Sequence, residues 1–184
     1  MPVKVNILAC DIVHADELVS AVVIPLNTEK IWYSELDYAV KRTGGLYIYN
    51  ELVRFLMSEE KLGRDMFDGQ TILIDRDENS YDLGNYLSVL FVFDDLKRPL
   101  VELMRIVLEK AKSSNLKRIA IPMIRTGWYK GKYEKTEDDA LRAILATVYY
   151  FAWNNQDQDM IIDLVTFNNP RQNKFLKSFD FLNN

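Results

Sequence analysis

Apolar positions along this chain fall into two alternating kinds of run. Six short segments carry nearly continuous apolar residues rich in Val, Ile and aromatics: about Val3 to Leu8, Ser20 to Ile24, Thr71 to Asp75, Tyr86 to Phe93, Arg118 to Ile121 and Met160 to Phe167. Runs of that length and continuity predict strands covered on both faces. Between them the spacing becomes helical. Leu46, Tyr49, Leu52, Val53 and Leu56 recur at helical spacing, as do Leu100, Leu103, Met104, Val107, Leu108 and Ala111. The strongest repeat is Leu141, Ile144, Leu145, Val148 and Ala152. Thr136 can cap that helix, and Asp139 three residues on completes a box-like pattern. Glu137, Asp138 and Asp139 suit the positive end of the helix dipole. Pro170 favours a first turn and predicts a last helix running through Phe175 and Phe179.

Strands alternating with helices predict an α/β protein of three layers, helices on both sides of a sheet of roughly six strands. The chain of 184 residues is long enough for a sizeable core and predicts a single domain over 1–184. Two stretches read as polar connections: the end of Ser58 to Asp68, and the acidic Asp75 to Gly84.

Charge and cysteine content narrow the function classes. A formal net charge of −4 argues against broad nucleic-acid or anionic-membrane binding, which needs a basic face. The lone cysteine, Cys10, cannot pair within the chain, and no apolar run approaches bilayer-spanning length. The N-terminus lacks a signal-peptide layout, and a cytoplasmic location is the expectation.

Several chemistries lack their residues. There is no Gly-x-Gly-x-x-Gly or Walker-type loop, and one histidine with one cysteine leaves the common zinc sets unfilled. No metal or cofactor is expected. His14 reads as part of a surface turn and Cys10 as a small packing residue. Asp94-Asp95 reads as a solvated helix approach or cap rather than a magnesium site. Tyr149, Tyr150, Phe151 and Trp153 read as core packing.

One stretch stands out. The apolar run Ile119 to Ile124 stops abruptly at Arg125, Thr126 and Gly127, with Lys130, Gly131 and a helix following. A buried strand ending in a glycine-containing cationic loop before a helix suits an anion, because backbone N–H groups can turn toward one point. The same loop can equally serve only to turn the chain.

Four places, in this order and spacing, resemble a macro domain, the ADP-ribose-binding α/β module. Cys10-Asp11-Ile12 follows the first strand where that family has Gly-Asp-Ile. The resemblance implies that Asp11 accepts a hydrogen bond from the adenine amine and that the Ile12 backbone helps fix the base; alternatively Asp11 caps a turn. Ala21-Val-Val-Ile-Pro-Leu-Asn27 resembles the family's strand running into Asn-Ala-Ala-Asn, with Asn27 on the second Asn, which contacts the distal ribose. Asp37, ten residues after Asn27, matches the aspartate that helps orient water and ribose in hydrolytic members. Tyr33, Ser34 and Glu35 replace three family glycines, which narrows that end of the cleft. Ile124-Arg125-Thr126-Gly127-Trp128-Tyr129 matches the family's Ile-Ser-Thr-Gly-Ile-Tyr at Ile124, Thr126, Gly127 and Tyr129. The resemblance implies a diphosphate cradle there, with Trp128 in the loop and Arg125 and Lys130 adding charge. Phe167 falls where the family places an aromatic beside adenine, and packs either on a base or in the core.

The resemblance implies a mixed sheet and three readings of function. The first is binding of ADP-ribose or a related adenine nucleotide, free or on an ADP-ribosylated protein. The second is a metal-independent ADP-ribosyl hydrolase using Asn27 and Asp37. The third is a protein-interaction scaffold with aromatics Trp32, Tyr33, Trp128 and Tyr133 at the cleft mouth. Single-stranded nucleic acid at the cation- and aromatic-rich segment Arg125 to Lys135 is the least favoured. The oligomeric state is not encoded in any pattern of this kind.

Overall fold

The computed structural model describes residues 2–14, 17–29, 34–76, 84–127, 130–167 and 169–178. Within them run β1 (Lys4–Leu8), β2 (Val19–Leu26), α1 (Ser34–Lys61), β3 (Thr71–Asp75), β4 (Tyr86–Phe93), α2 (Leu100–Ser113), β5 (Arg118–Pro122), α3 (Glu137–Asn154), β6 (Ile161–Val165) and α4 (Pro170–Lys177). A short 3-10 turn, Ile12–His14, follows β1.

The six strands form one sheet in the order β1-β6-β5-β2-β4-β3. All neighbours are parallel except β3, which runs antiparallel to β4. The sheet is therefore mixed. The central strands β2 and β4 are buried along nearly their whole length, as their continuous apolar runs require. One face carries α2, α3 and the buried Leu176 of α4, packed on Val23, Leu90, Ile121 and Leu164. The other face carries α1 and the 3-10 turn, packed on Val22, Ile24, Phe91 and Phe93. Three layers result.

Local signals explain most element ends. Asp139 N–H donates to the Thr136 hydroxyl at 3.1 Å, and Thr136 N–H donates to the Asp139 carboxylate at 2.9 Å, closing the reciprocal cap of α3. Asn169 caps α4 ahead of Pro170, accepting from the N–H groups of Arg171 and Gln172. Phe179 lies outside the described residues. All six apolar positions expected for α2 are buried.

Two expectations are corrected. Of the row expected on α1, Leu52 and Leu56 are buried as expected and the Leu46 side chain lies outside the described residues, but Tyr49 and Val53 are only half-buried, and Val40, Thr43 and Ile48 complete the buried set, so the inward face is rotated from the one expected. Apolar residues ring that helix, and the i, i+4 row from Val40 to Leu56 lies along the sheet. On α3, Phe151 is buried but Tyr150 and Trp153 are 72% and 75% exposed. The Leu141-Ile144-Leu145-Val148 stripe takes the inward face, and a 3.6-residue period leaves Tyr150 and Trp153 on the far side.

Candidate functional site

Parallel strands bring the carboxyl ends of β1, β6, β5, β2 and β4 to one edge of the sheet. Leu8 pairs with Val165, Val165 with Pro122, and Leu26 with Phe93. Asp11, Phe167, Thr126, Asn27 and Asp94 therefore sit on loops leaving neighbouring strand ends. Between β5 and β2 the chain departs in opposite senses: α1 follows β2 onto one face and α3 follows β5 onto the other. Such a switch of direction is the usual ligand position in open α/β sheets. The β2–β5 ladder is registered at Ala21–Ile119 and Val22–Ala120, below the ends of both strands. Pro122 has no N–H to continue it.

At the β1–β6 end, the Asp11 carboxylate accepts from Val13 N–H at 3.2 Å and pairs with Arg42 of α1 at 3.1 Å. Asp11 thus does cap a turn. It remains partly exposed, and a carboxylate has room for further donors on its four lone pairs. Ile12 is buried and anchors that turn in the core. Thr166 donates to the Leu8 carbonyl through both N–H and hydroxyl, which ties the end of β6 to the end of β1. Phe167 follows directly, 67% exposed and with φ of 37°. It is no core residue. A left-handed backbone costs a non-glycine residue about 1–2 kcal/mol, and such strain clusters at ligand sites.

At the β5 end, Arg125 also adopts a left-handed backbone, with φ of 61°. Among the described residues the N–H groups of Arg125 and Gly127 have no acceptor. Gly127 is exposed, and a Cβ built on it would meet nothing within 4 Å among the described residues. Successive N–H groups around a left-handed residue form a concavity that suits an anion. The Thr126 hydroxyl donates to the Met123 carbonyl at 2.7 Å and accepts from the Gln172 amide at 3.0 Å, so α4 braces the loop.

The expected charge contribution of Arg125 is corrected here. Its guanidinium is 1% exposed, forks onto both oxygens of Asp94 at 3.0 and 2.6 Å, and reaches Glu134 at 2.6 Å. Burial opposes its charge, but Asp94 and then Glu134 outweigh that and hold its pKa above the ordinary arginine value. With its donors committed inside the protein, this side chain is scaffold. Lys130 likewise turns back, donating to the carbonyls of Thr126 and Arg125 at 2.9 and 3.4 Å.

Asn27 leaves the end of β2 half-buried. The next residue, Thr28, donates through N–H and hydroxyl to Asp95, each at 2.8 Å. Burial pushes Asp95 up, but these bonds and Lys97 prevail and hold its carboxyl below the usual value. Asp94 caps a turn, accepting from Leu96 N–H at 3.0 Å, and both Asp94 and Asp95 are ion-paired rather than forming the solvated helix approach, the other expectation. The backbone of Ser34, Glu35 and Asp37 lies in the first turns of α1; their side chains, together with Trp32, Tyr33, Trp128 and Tyr129, lie outside the described residues. Among the described residues no group of three His, Cys, Asp or Glu side chains is arranged for a metal ion.

Sequence reading missed Arg42, Asp94, Glu134 and Gln172 as site-shaping residues. Asp94-Asp95 directly after a buried strand was the available signal. The partners 31 and 9 residues from Asp94 and Glu134 to Arg125 were not legible, since only folding joins them.

No protein-family model matches the sequence, and no curated protein matches it significantly. Solved structures match its fold. A Trypanosoma brucei macrodomain in complex with ADP-ribose aligns with a TM-score of 0.74 at 17% identity, over 96% of this chain and 68% of that one. An Oceanobacillus iheyensis macrodomain with MES bound aligns at 0.72 and 19% identity, over 96% and 90%. The macro domain of ganglioside induced differentiation associated protein 2 aligns at 0.71 and 13% identity, over 96% and 82%. The architecture described above is the macrodomain fold.

Proposed function

We propose that this macrodomain-fold chain binds ADP-ribose or a related adenine nucleotide in the crevice at the carboxyl ends of its parallel strands. The diphosphate lies against the backbone from Arg125 to Gly127, and the base meets Phe167 and Asp11. One observation carries the reading: a left-handed turn at the switch point leaves the Arg125 and Gly127 N–H groups without acceptors among the described residues, beside an exposed glycine. Unpaired N–H groups beside a left-handed turn favour a ligand with charged oxygens. The fold is shared with the T. brucei macrodomain solved with ADP-ribose and an O. iheyensis macrodomain solved with ADP, which supports the ligand class.

Isothermal calorimetry tests it. ADP-ribose is expected to bind in the micromolar range, about −8 kcal/mol. Asp11→Ala is expected to weaken it roughly tenfold, the value of one hydrogen bond to a charged group. Absence of heat and of any thermal shift with millimolar ADP-ribose and ADP would overturn the proposal.

A further inference from the structure

The ions around Arg125 are buried within the protein. Four segments meet there. Asp94 comes from the end of β4, Arg98 and Leu100 from the start of α2, Glu134 from the approach to α3, and Arg125 from the loop after β5. Arg125 Nε and Nη2 donate to Asp94 at 3.0 and 2.6 Å, and Nη1 donates to Glu134 at 2.6 Å and to the Arg98 carbonyl at 2.9 Å. The second oxygen of Glu134 accepts from Leu100 N–H at 2.8 Å, and Asp94 also accepts from Leu96 N–H at 3.0 Å. The Asp94 side chain is 0% exposed and that of Glu134 7%. Gly131 supplies the room, since a Cβ there would lie 2.6 Å from Glu134.

Buried ion sets of this kind are seldom the cheapest way to fill a core; matched apolar residues frequently do as well or better. What a fork of charged hydrogen bonds adds is direction. Here it is anchored on Arg125, whose own backbone is left-handed with φ of 61°, a conformation arginine does not favour by itself. We infer that the Arg125–Asp94–Glu134 cluster is a positioning device: it holds Arg125 in its left-handed turn and so aims the loop N–H groups at the diphosphate. This rests on the crevice being the nucleotide site proposed above. Arg125 acts through the backbone and does not touch the ligand.

The test compares ligands that do and do not carry phosphate. Arg125→Met and the apolar double variant Arg125→Met/Asp94→Leu are titrated with ADP-ribose, pyrophosphate and adenosine by calorimetry and by amide chemical shifts. Adenosine uses Asp11 and Phe167 alone. The expected result is an ADP-ribose affinity lowered at least about tenfold, adenosine affinity within about twofold of wild type, and loss of the pyrophosphate response at the Gly127 amide. Arg118→Met, which breaks another buried Arg–Asp pair at the opposite ends of the strands, is the control and should leave the ADP-ribose-to-adenosine ratio unchanged. If Arg125→Met does not fold, the double variant combined with Glu134→Gln, which leaves no buried carboxylate without its arginine, decides. A folded Arg125 variant with the wild-type ratio overturns the inference while leaving nucleotide binding intact. Wild-type protein that takes up neither ADP-ribose nor pyrophosphate overturns both.

Discussion

Gly131→Ala offers a direct measure of how tightly the ion cluster is built. Gly131 is not left-handed, so alanine brings no backbone strain. The cost is steric. The new Cβ would stand 2.6 Å from Glu134 Oε2 and 3.1 Å from Arg125 Cζ, with Arg125 Nη1 closer still. Ordinary contact begins at 3.4 Å, so the carboxylate must retreat by about 0.8 Å. That oxygen is the one bonded to Arg125 at 2.6 Å, and its twin holds Leu100 N–H at 2.8 Å, so neither can move freely. Overpacking a well-filled site costs about 1–3 kcal/mol, rising to roughly 3–5 if the buried pair parts. For a chain of this size each kcal/mol lowers Tm by about 2–4 °C. The expectation is a Tm drop of about 2–12 °C by calorimetric melting, or about 6–20 °C if the pair parts, with a matching fall in urea midpoint. Gly127→Ala is the comparison: its Cβ meets nothing within 4 Å among the described residues, and it should stay within about 0.5 kcal/mol of wild type. Equal stability of the two variants would refute the claim that Gly131 makes room for a rigid cluster.

Acid should remove the contribution of the Thr28–Asp95 latch. The Asp95 carboxyl is held below its usual 3.8 in the folded chain, so the unfolded chain binds more protons on acidification. The stabilisation is full above that value and lost as pH falls through the folded one. Asp95→Asn should therefore trail wild type in Tm at pH 7, with the gap narrowing as pH falls below 3.8; an unchanged gap down to the acid limit of folding would show that the carboxylate charge is irrelevant. Phe167→Gly should relieve about 1–2 kcal/mol of left-handed strain against roughly 0.5–1 kcal/mol of added chain freedom, leaving the protein about 0–1.5 kcal/mol more stable than wild type. The same variant should lose about 1–3 kcal/mol of ADP-ribose affinity, the worth of one stacked base. A large Tm loss with unchanged affinity would make Phe167 a packing residue after all.

Strands and helices were legible because each is set by a local period. Every one of the six apolar runs became a strand, and the Thr136–Asp139 cap and the Pro170 start were local chemistry within a few residues. The rotated face of α1 was hidden because apolar residues surround it, and only contact with the sheet selects Ile48 over Tyr49.

Periodicity and capping thus determined the elements, and the sequence after β5 marked a cationic, glycine-containing turn. The tertiary structure decided the rest. Parallel pairing put Asp11, Asn27, Thr126 and Phe167 at one edge, and long-range charge pairing turned Arg125 inward. A side chain's period along the chain fixes which way it points locally, but the fate of a charge depends on which opposite charge folding brings within reach, and Asp94 lies 31 residues from Arg125.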